Sequence, residues 1–256
     1  MRLSQHIAIS VLSVAVFFIV WQVAATRQWV APLLLPSLTD IGLTTEELLA
    51  DGYRQVPLWE HIAVSLARAL SAFSVAIIIG IPLGLLMGLS EGLSAVLNPF
   101  VQFLRPLPKI ALIPLAVVWL GIGEASKFFL IFIATFLSVV VGASAAVERS
   151  GRSRIRVAQT LGASRWQIFL RVVLPDALPD LFTTVRLSIG IGWTSLIAAE
   201  MVAASSGLGW MVINASSYLR TDIVMLGILL LGGIGYLLDL LLLGLQRLTV
   251  PWAGKE

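Results

Sequence analysis

The chain has 256 residues, of which 58% are hydrophobic and 12% charged, and its formal net charge is +3. Soluble domains carry about 25% charged residues, so this composition excludes a sizeable soluble domain and predicts one domain integral to a membrane. The absence of cysteine excludes disulfides, thiol chemistry and cysteine-ligated metal sites.

Six stretches of the chain are apolar enough to cross a bilayer as α-helices, which need about 20 mostly apolar residues each. The first is longer than the apolar core of a signal peptide, about 7–15 residues, so a retained span is favoured over a cleaved leader. The sequence therefore predicts an all-α integral membrane protein, a single domain over residues 1–256, with six transmembrane helices at about residues 7–25, 62–89, 99–120, 128–147, 181–204 and 223–245.

The loop at residues 26–61, between the first two spans, is predicted to hold a short helix on the membrane surface. This helix would run through Glu46 and Glu47. Thr39 or Asp40 would cap its N-terminus, because short polar side chains accept hydrogen bonds from the first free backbone N–H groups.

The third span is interrupted by the sequence LRPLPKIALIP, which places Arg105, Lys109 and three prolines within it. Proline removes a backbone donor, and irregular backbone persists at membrane depth only where protein or water covers it. The sequence therefore predicts a broken span that faces the protein interior. A short helix entered after an interfacial loop is the alternative.

The distribution of arginine predicts the orientation of the chain. The segment at residues 148–176 holds six arginines, whereas the longer loop at residues 26–61 holds only Arg27 and Arg54. Cytoplasmic loops are enriched in Lys and Arg, so the arginine-rich segment is predicted to be cytoplasmic. With six spans, both termini are then cytoplasmic and residues 26–61 lie on the opposite, periplasmic side.

The arginine-rich segment contains a helical pattern in which Ile155, Ala158 and Leu161 recur on one face. It is too short and too charged to cross the membrane. An amphipathic anchor at the interface is one interpretation. The small residues around Gly162 instead favour close approach of another protein, and Leu174-Pro175 is predicted to end the next helical piece.

The same segment resembles a sequence pattern of the membrane subunits of bacterial ATP-binding-cassette importers: EAA, three residues, Gly, nine residues, Ile, one residue, Leu-Pro. Ala158, Gly162 and Leu174-Pro175 match, Val172 stands at the Ile position, and Arg156 replaces the Glu. The resemblance implies a coupling helix that docks on an ATPase subunit through Arg156, Ala158, Gln159, Leu161, Gly162, Ala163, Ser164, Arg165 and Trp166.

Two further stretches narrow this resemblance. Arg105 to Lys127 is similar to permeases for sulfonates, taurine and nitrate, and Gly190 to Val212, with the ending LQRLTVPWAGKE, is most similar to taurine permeases. The resemblance implies a type I importer permease fold in the bacterial inner membrane. It implies four kinds of partner: a second copy of this chain, two ATPase subunits, a substrate-binding protein on the outer face, and lipid. ATP and Mg would be bound by the ATPase, and this chain would bind no cofactor.

Small and polar residues of the fifth span are candidates for lining the pathway: Ser188, Gly192, Thr194, Ser195 and Glu200. The glycines serve equally as a packing face, because small residues allow membrane helices to approach closely. A structural ion pair is favoured for Glu200 over a gate. On the outer face, the candidates for contact with the binding protein are Tyr53, Glu60, Gly207 and Trp210, the last two at the start of a short helix.

Sequence motifs of enzymes are lacking. No GxxxxGK[ST] motif occurs, so the chain is predicted to be a non-catalytic subunit whose partner hydrolyses ATP. His6 and His61 form no metal-binding spacing. An ion-coupled secondary transporter is the alternative from another class, but it predicts an inverted repeat that the sequence does not show. A membrane scaffold that transports nothing is a third possibility.

Overall fold

In a computed structural model, which describes residues 3–149 and 152–252, the chain is built from helices. The first half contains α1 (Leu3–Thr26), α2 (Leu38–Ala50), α3 (Leu58–Leu89), α4 (Glu91–Leu104), a 3-10 turn (Lys109–Leu112), α5 (Ile113–Leu120) and α6 (Glu124–Arg149). The second half contains α7 (Arg152–Thr160), α8 (Arg165–Ile168), a π-turn (Phe169–Val173), α9 (Leu174–Ala203), α10 (Leu208–Ser217) and α11 (Thr221–Thr249).

Among the described residues, five helical segments are long and apolar enough to cross a membrane. They are Ala8–Thr26, Leu58–Leu89, Glu124–Arg149, Arg165–Val202 and Thr221–Thr249. A sixth crossing would consist of α4 and the segment Lys109–Leu120, which are bent by 93° relative to each other. The bend lies at residues 105–108, where the prolines predict a broken span.

Whether α4 and Lys109–Leu120 together cross the membrane can be judged from the relative direction of α3 and α6, the helices before and after them. Arg68 binds Glu124 at one end of the two helices, and Gly88 lies against Val147 at the other end, so α3 and α6 are parallel. From Arg68 to Gly88, α3 rises about 30 Å, which is the thickness of the hydrocarbon core. The chain between Leu89 and Glu124 must therefore return through the same thickness.

The other long helices run in alternating directions. On α9, Thr184 lies against Gly142 near one end and Glu200 binds Arg68 at the other, so α9 is antiparallel to α3 and α6. Asp239 of α11 binds Arg186 of α9. We refer to the end formed by residues 53–68, 124–127 and 200–222 as the Glu200 end, and to that formed by residues 149 and 152–180 as the arginine-rich end.

Small residues allow α3 and α6 to pack closely. Ala69, Ala72 and Ala76 of α3 are fully buried. A Cβ atom on Gly84 would lie 2.7 Å from the Cβ of Ala143, so only glycine fits at this crossing. In a bilayer, where lipid tails are as apolar as leucine, such close backbone packing is a main source of helix association.

The cap of α2 differs from the prediction. Ser37, rather than Thr39 or Asp40, is the N-cap: its hydroxyl accepts from the Asp40 N–H, and the Asp40 carboxylate accepts from the Ser37 N–H. The Ser37 hydroxyl also donates to the Asp40 carboxylate over 2.7 Å, and this bond, together with the one from the Ser37 N–H, holds the pKa of Asp40 below its usual value. Asp40 therefore occupies the third helical position of a reciprocal cap, where a carboxylate is favoured.

Candidate functional site

The turn after α7 is exposed at the arginine-rich end, and Gly162 forms it. The Gly162 N–H donates to the Gln159 carbonyl over 3.0 Å, and the Ala163 N–H donates to the Ala158 carbonyl over 3.1 Å. Gly162 has a φ of +78°. This pair of bonds ends a helix by placing one residue in the left-handed region, where glycine has no Cβ penalty.

Ser164 begins the next helix directly after that turn. Its hydroxyl accepts from the Gln167 N–H over 3.3 Å, and the Gln167 side chain accepts from the Ser164 N–H over 2.8 Å. The segment between α7 and α8 is thus fixed by hydrogen bonds on both sides. The glycine at position 162 and the serine at position 164 are therefore explained by the turn and by the helix cap that they form.

The predicted docking residues divide into a packed and an exposed set. Ala158 and Ala163 pack against the buried cluster that contains Val147 and Ile168. Leu161 is 81% exposed and Trp166 67% exposed. Also exposed are Arg156, Gln159, Gly162, Ser164 and Arg165. An exposed apolar patch surrounded by polar residues is typical of a protein interaction site.

The prediction that Leu174-Pro175 ends a helix is wrong. The helix is continuous from Arg165 to Val202. In the π-turn ahead of the proline, the Leu174 N–H donates to the Phe169 carbonyl, five residues earlier. This shift in hydrogen-bond register lets Pro175 fall in the first turn of α9, where a missing N–H is tolerated.

Two ion pairs connect the arginine-rich loop to the start of α9. Arg154 Nη1 lies 2.6 Å from Asp176 Oδ1, and Arg149 Nη1 lies 3.2 Å from Asp180 Oδ2. Both arginines are largely exposed, so each pair contributes little to stability. The Arg154 pair holds α7, and the Arg149 pair holds the end of α6, beside the helix that continues into the membrane.

Glu200 lies at the opposite end of the molecule and is completely buried. Its carboxylate accepts hydrogen bonds from the Ser65 hydroxyl at 2.8 Å, from Arg68 Nη1 at 2.8 Å and from the Gly209 N–H at 2.9 Å. A buried carboxylate with this many donors is a structural element. The prediction that Glu200 lines the pathway is therefore wrong, and the structural ion pair is the correct alternative.

Arg68 extends this network toward solvent. Its Nε and Nη2 donate to the two carboxylate oxygens of Glu124, each over 2.7 Å, and Lys127 Nζ donates to Glu124 over 2.8 Å. Arg68 Nη1 also donates to the Ser206 carbonyl over 2.7 Å. One guanidinium thus joins α3, α6, α9 and the loop before α10. A bidentate pair of this kind fixes both distance and orientation.

His61 holds the same loop from α3. The Gly207 N–H donates to His61 Nδ1 over 3.1 Å, so the ring proton belongs on Nε2, which lies 3.4 Å from the Tyr53 carbonyl. The imidazole stacks on Trp210 with ring centroids 5.7 Å apart. Sequence reasoning missed this role, because a lone histidine has no partner at a recognisable spacing.

Two of the four residues predicted to contact a binding protein are inaccessible to a partner. Tyr53 and Gly207 are buried. The Tyr53 hydroxyl donates to Asn214 Oδ1 over 2.8 Å, and burial raises the pKa of this phenol. Neither residue can contact a partner directly, because neighbouring helices cover them. Glu60 and Trp210 are half-buried and remain candidates.

The predicted pathway residues on α9 do not share one face. Ser188 is fully buried, and Gly192 packs against Thr135 and Phe73. Those two predictions are wrong, because the helical period turns both positions toward α3 and α6. Thr194 is exposed and Ser195 half-buried, and both hydroxyls donate to the Ile191 carbonyl. A lining role for these two stays a prediction.

Comparisons with known proteins show which family this chain belongs to. Residues 80–255 match the family model described as binding-protein-dependent transport system inner membrane component. The taurine transport system permease protein TauC of Escherichia coli is 43% identical over 99% of this chain and 92% of TauC. The putative aliphatic sulfonates transport permease protein SsuC of the same organism is 36% identical over 91% of this chain and 87% of SsuC.

A more distant relative and a solved structure extend the comparison. The nitrate import permease protein NrtB of Synechocystis is 30% identical, over 95% of this chain and 89% of NrtB. A structure described as an inward-facing conformation of the MetNI methionine ABC transporter has a TM-score of 0.57, covering 72% of this chain and 95% of its own. At 22% identity, this match concerns the fold alone.

Proposed function

Because this chain belongs to the family of binding-protein-dependent transport system inner membrane components, we propose that it forms the membrane pathway for a small sulfonate, with taurine as the first candidate. It is the permease subunit of an ABC importer, it has the fold of a type I importer permease, and it resides in the inner membrane as a multi-pass protein. The observation that carries the choice of taurine is the 43% identity to TauC over 99% of the chain.

Other small anions are the alternatives for the solute. SsuC, described as an aliphatic sulfonates permease, and NrtB, described as a nitrate permease, are 36% and 30% identical to this chain. Taurine, alkanesulfonates and nitrate share a compact oxyanion. The pathway would therefore need weak recognition of that group, and a separate binding protein would select among solutes.

The proposed assembly contains two copies of this chain, two ATPase subunits and one binding protein. ATP and Mg²⁺ would be held by the ATPase subunits and no cofactor by this chain. Support for the ATPase contact is the turn at residues 160–164, which exposes Leu161 and is followed by the exposed Trp166. The binding protein would contact the Glu200 end, where α2 and α10 lie.

Both termini are proposed to be cytoplasmic. Support comes from the return of the chain between the parallel helices α3 and α6, which would add a sixth crossing to the five long helices of the described residues. The concentration of arginine in the segment between α6 and α9 supports a cytoplasmic position for that segment, because cytoplasmic loops are enriched in Lys and Arg.

A coupling step follows from the continuous helix after the turn. When ATP closes the ATPase dimer, the two docked turns would be drawn together. Since the helix runs unbroken from Arg165 to Val202, a displacement of the turn would be transmitted directly to the membrane part of α9. The outer half of the pathway would then open, and hydrolysis would restore the inward-facing state.

The test is solute uptake in cells with and without this subunit, using taurine, longer alkanesulfonates and nitrate in parallel. We expect taurine uptake to be lost on deletion and restored by the intact gene. Restored uptake of nitrate but not of any sulfonate would overturn the solute assignment. Purified permease that transports without an ATPase would overturn the ATP-driven mechanism in favour of ion coupling.

A further inference from the structure

A polar cavity of about 440 Å³ lies between α6 and α9, and none of the predicted pathway residues lines it. Its walls carry Arg105 from the bend between α4 and α5, and two further charged residues, Arg149 and Asp180. Hydroxyl groups line the remaining polar wall, among them those of Ser138 and Thr184. The volume falls within the range of about 300–1,000 Å³ typical of small-molecule sites.

The cavity occupies the half of the membrane nearer the arginine-rich end. At 1.5 Å per residue, Ser138 lies about 21 Å along α6 from Glu124, and Arg149 lies about 37 Å along it. Arg105 therefore belongs to a cavity that reaches from near the middle of the membrane to its cytoplasmic edge. Ionisable residues at such depth are costly and are typical of solute and ion pathways.

The charges around the cavity leave one cation uncompensated. Arg149 is paired with Asp180 over 3.2 Å. No carboxylate is paired with Arg105 within the described part of the chain, and Lys109, whose ammonium donates to the Arg105 carbonyl over 2.6 Å, adds a second positive charge nearby. The cavity is therefore attractive to anions.

We propose that Arg105 is the anion-recognising residue of the translocation pathway, where its guanidinium and the hydroxyls of Ser138 and Thr184 bind the sulfonate group of the solute on the inward-open side. The inference rests on the proposed transport of a sulfonate. A guanidinium presents a planar pair of donors that fits two oxygens of one oxyanion, and each hydroxyl offers one further donor. Small anions without a bulky second group fit the remaining volume.

The first experiment measures attraction of anions to the cavity, independently of transport. Because the chain has no cysteine, Ser138→Cys introduces its sole thiol. In inside-out vesicles holding the assembled complex, labelling of this subunit is followed with an anionic and a cationic methanethiosulfonate reagent. We expect the anionic reagent to be favoured, and added taurine to slow its reaction.

Arg105→Gln, placed in the Ser138→Cys background, should lower the ratio of anionic to cationic labelling by about tenfold, at the lower end of the range for charge-focused clefts. Arg105→Lys should retain most of the ratio, because the charge is kept. Arg27→Gln is the matched control, since it removes an exposed arginine from the opposite end. An unchanged ratio in Arg105→Gln would overturn the proposed site.

The second experiment measures sulfonate uptake by the complete complex together with ATP hydrolysis stimulated by the binding protein. In Arg105→Gln we expect uptake to fall at least about tenfold while stimulated hydrolysis stays within about twofold, which shows that the complex is assembled. If the wild type transports the sulfonate and Arg105→Gln transports it equally well, Arg105 does not recognise the solute. If the wild type takes up no sulfonate but still favours the anionic labelling reagent, the proposed solute is wrong and the anion site is retained.

Discussion

Arg68 and Glu200 lie 132 residues apart in the chain and form a buried ion pair in which Arg68 Nη1 donates to Glu200 Oε1 over 2.8 Å. Arg68 is 8% exposed and Glu200 not at all. The pair joins α3 to α9 at the end of the molecule where α10 and its preceding loop lie. Toward the other end, the pair of Arg186 with Asp239 joins α9 to α11, so α9 is held by charge pairs to both α3 and α11.

Removing the Glu200 carboxylate should strongly destabilise the protein. Glu200→Ala leaves Arg68 partly unpaired and the Gly209 N–H without its acceptor, so we expect the free energy of unfolding to fall by about 3–5 kcal/mol. Thermal or denaturant unfolding in detergent measures this. Glu46→Ala, at an exposed carboxylate on α2, is the control and should change stability by less than about 0.5 kcal/mol. Equal effects in the two variants would contradict the structural role.

Changing Gly162 should uncouple ATP hydrolysis from the permease while the protein still inserts and folds. Gly162→Arg places a side chain at a φ of +78°, which costs about 1–2 kcal/mol locally and disturbs the turn. We expect loss of ATPase stimulation by the loaded binding protein. Gly162→Asn should keep a large part of it, because asparagine tolerates the left-handed region. Undiminished stimulation in Gly162→Arg means that the turn is not the docking surface.

Adding a methyl group at Gly84 and at Gly42 should have opposite effects. A Cβ at Gly84 would meet the Val140 carbonyl oxygen at 2.5 Å, so Gly84→Ala forces α3 and α6 apart and should cost about 1–3 kcal/mol. A Cβ at Gly42, on the exposed side of α2, meets nothing within 4 Å. Gly42→Ala should therefore stabilise the protein by up to about 1 kcal/mol, through helix propensity. Unfolding midpoints that shift in the same direction would refute the packing argument.

Replacing His61 should loosen the loop before α10 without unfolding the membrane helices. His61→Phe keeps a ring to stack on Trp210 but leaves the buried Gly207 N–H without an acceptor, at a cost of about 1–3 kcal/mol. We expect faster amide hydrogen exchange at residues 204–214, with exchange in α11 unchanged. Protection that stays at the wild-type level would show that the loop is held by its other contacts alone.

Much of the architecture follows from composition and spacing. Apolar stretches of about 20 residues locate the long helices, because the bilayer sets their length. The prolines after Arg105 locate the break in the chain at residues 105–108, because proline cannot donate to the helical ladder. The spacing around Gly162 locates the exposed turn, since its geometry depends on local backbone conformation and a glycine.

The direction and partners of side chains within the bundle do not follow from spacing. Ser188 and Gly192 are as small and weakly polar as a pathway lining requires, yet the packing of α9 on α3 and α6 buries them. Tyr53 and Gly207 lie in loops, where exposure is the usual expectation, but helices pack over both. Leu174-Pro175 has a local signature of a helix end, and the π-turn before it keeps the helix continuous.

The sequence by itself determined that the chain is a helical membrane protein, where its long helices lie and where the turn at Gly162 forms, because these depend on properties of neighbouring residues. Only the tertiary structure decided that Glu200 is bound to Ser65 and Arg68, and that Arg105 lines a cavity with Ser138 and Thr184. The reason is physical: such contacts join residues far apart in the chain, and the energy of a charge inside a membrane depends on which groups surround it.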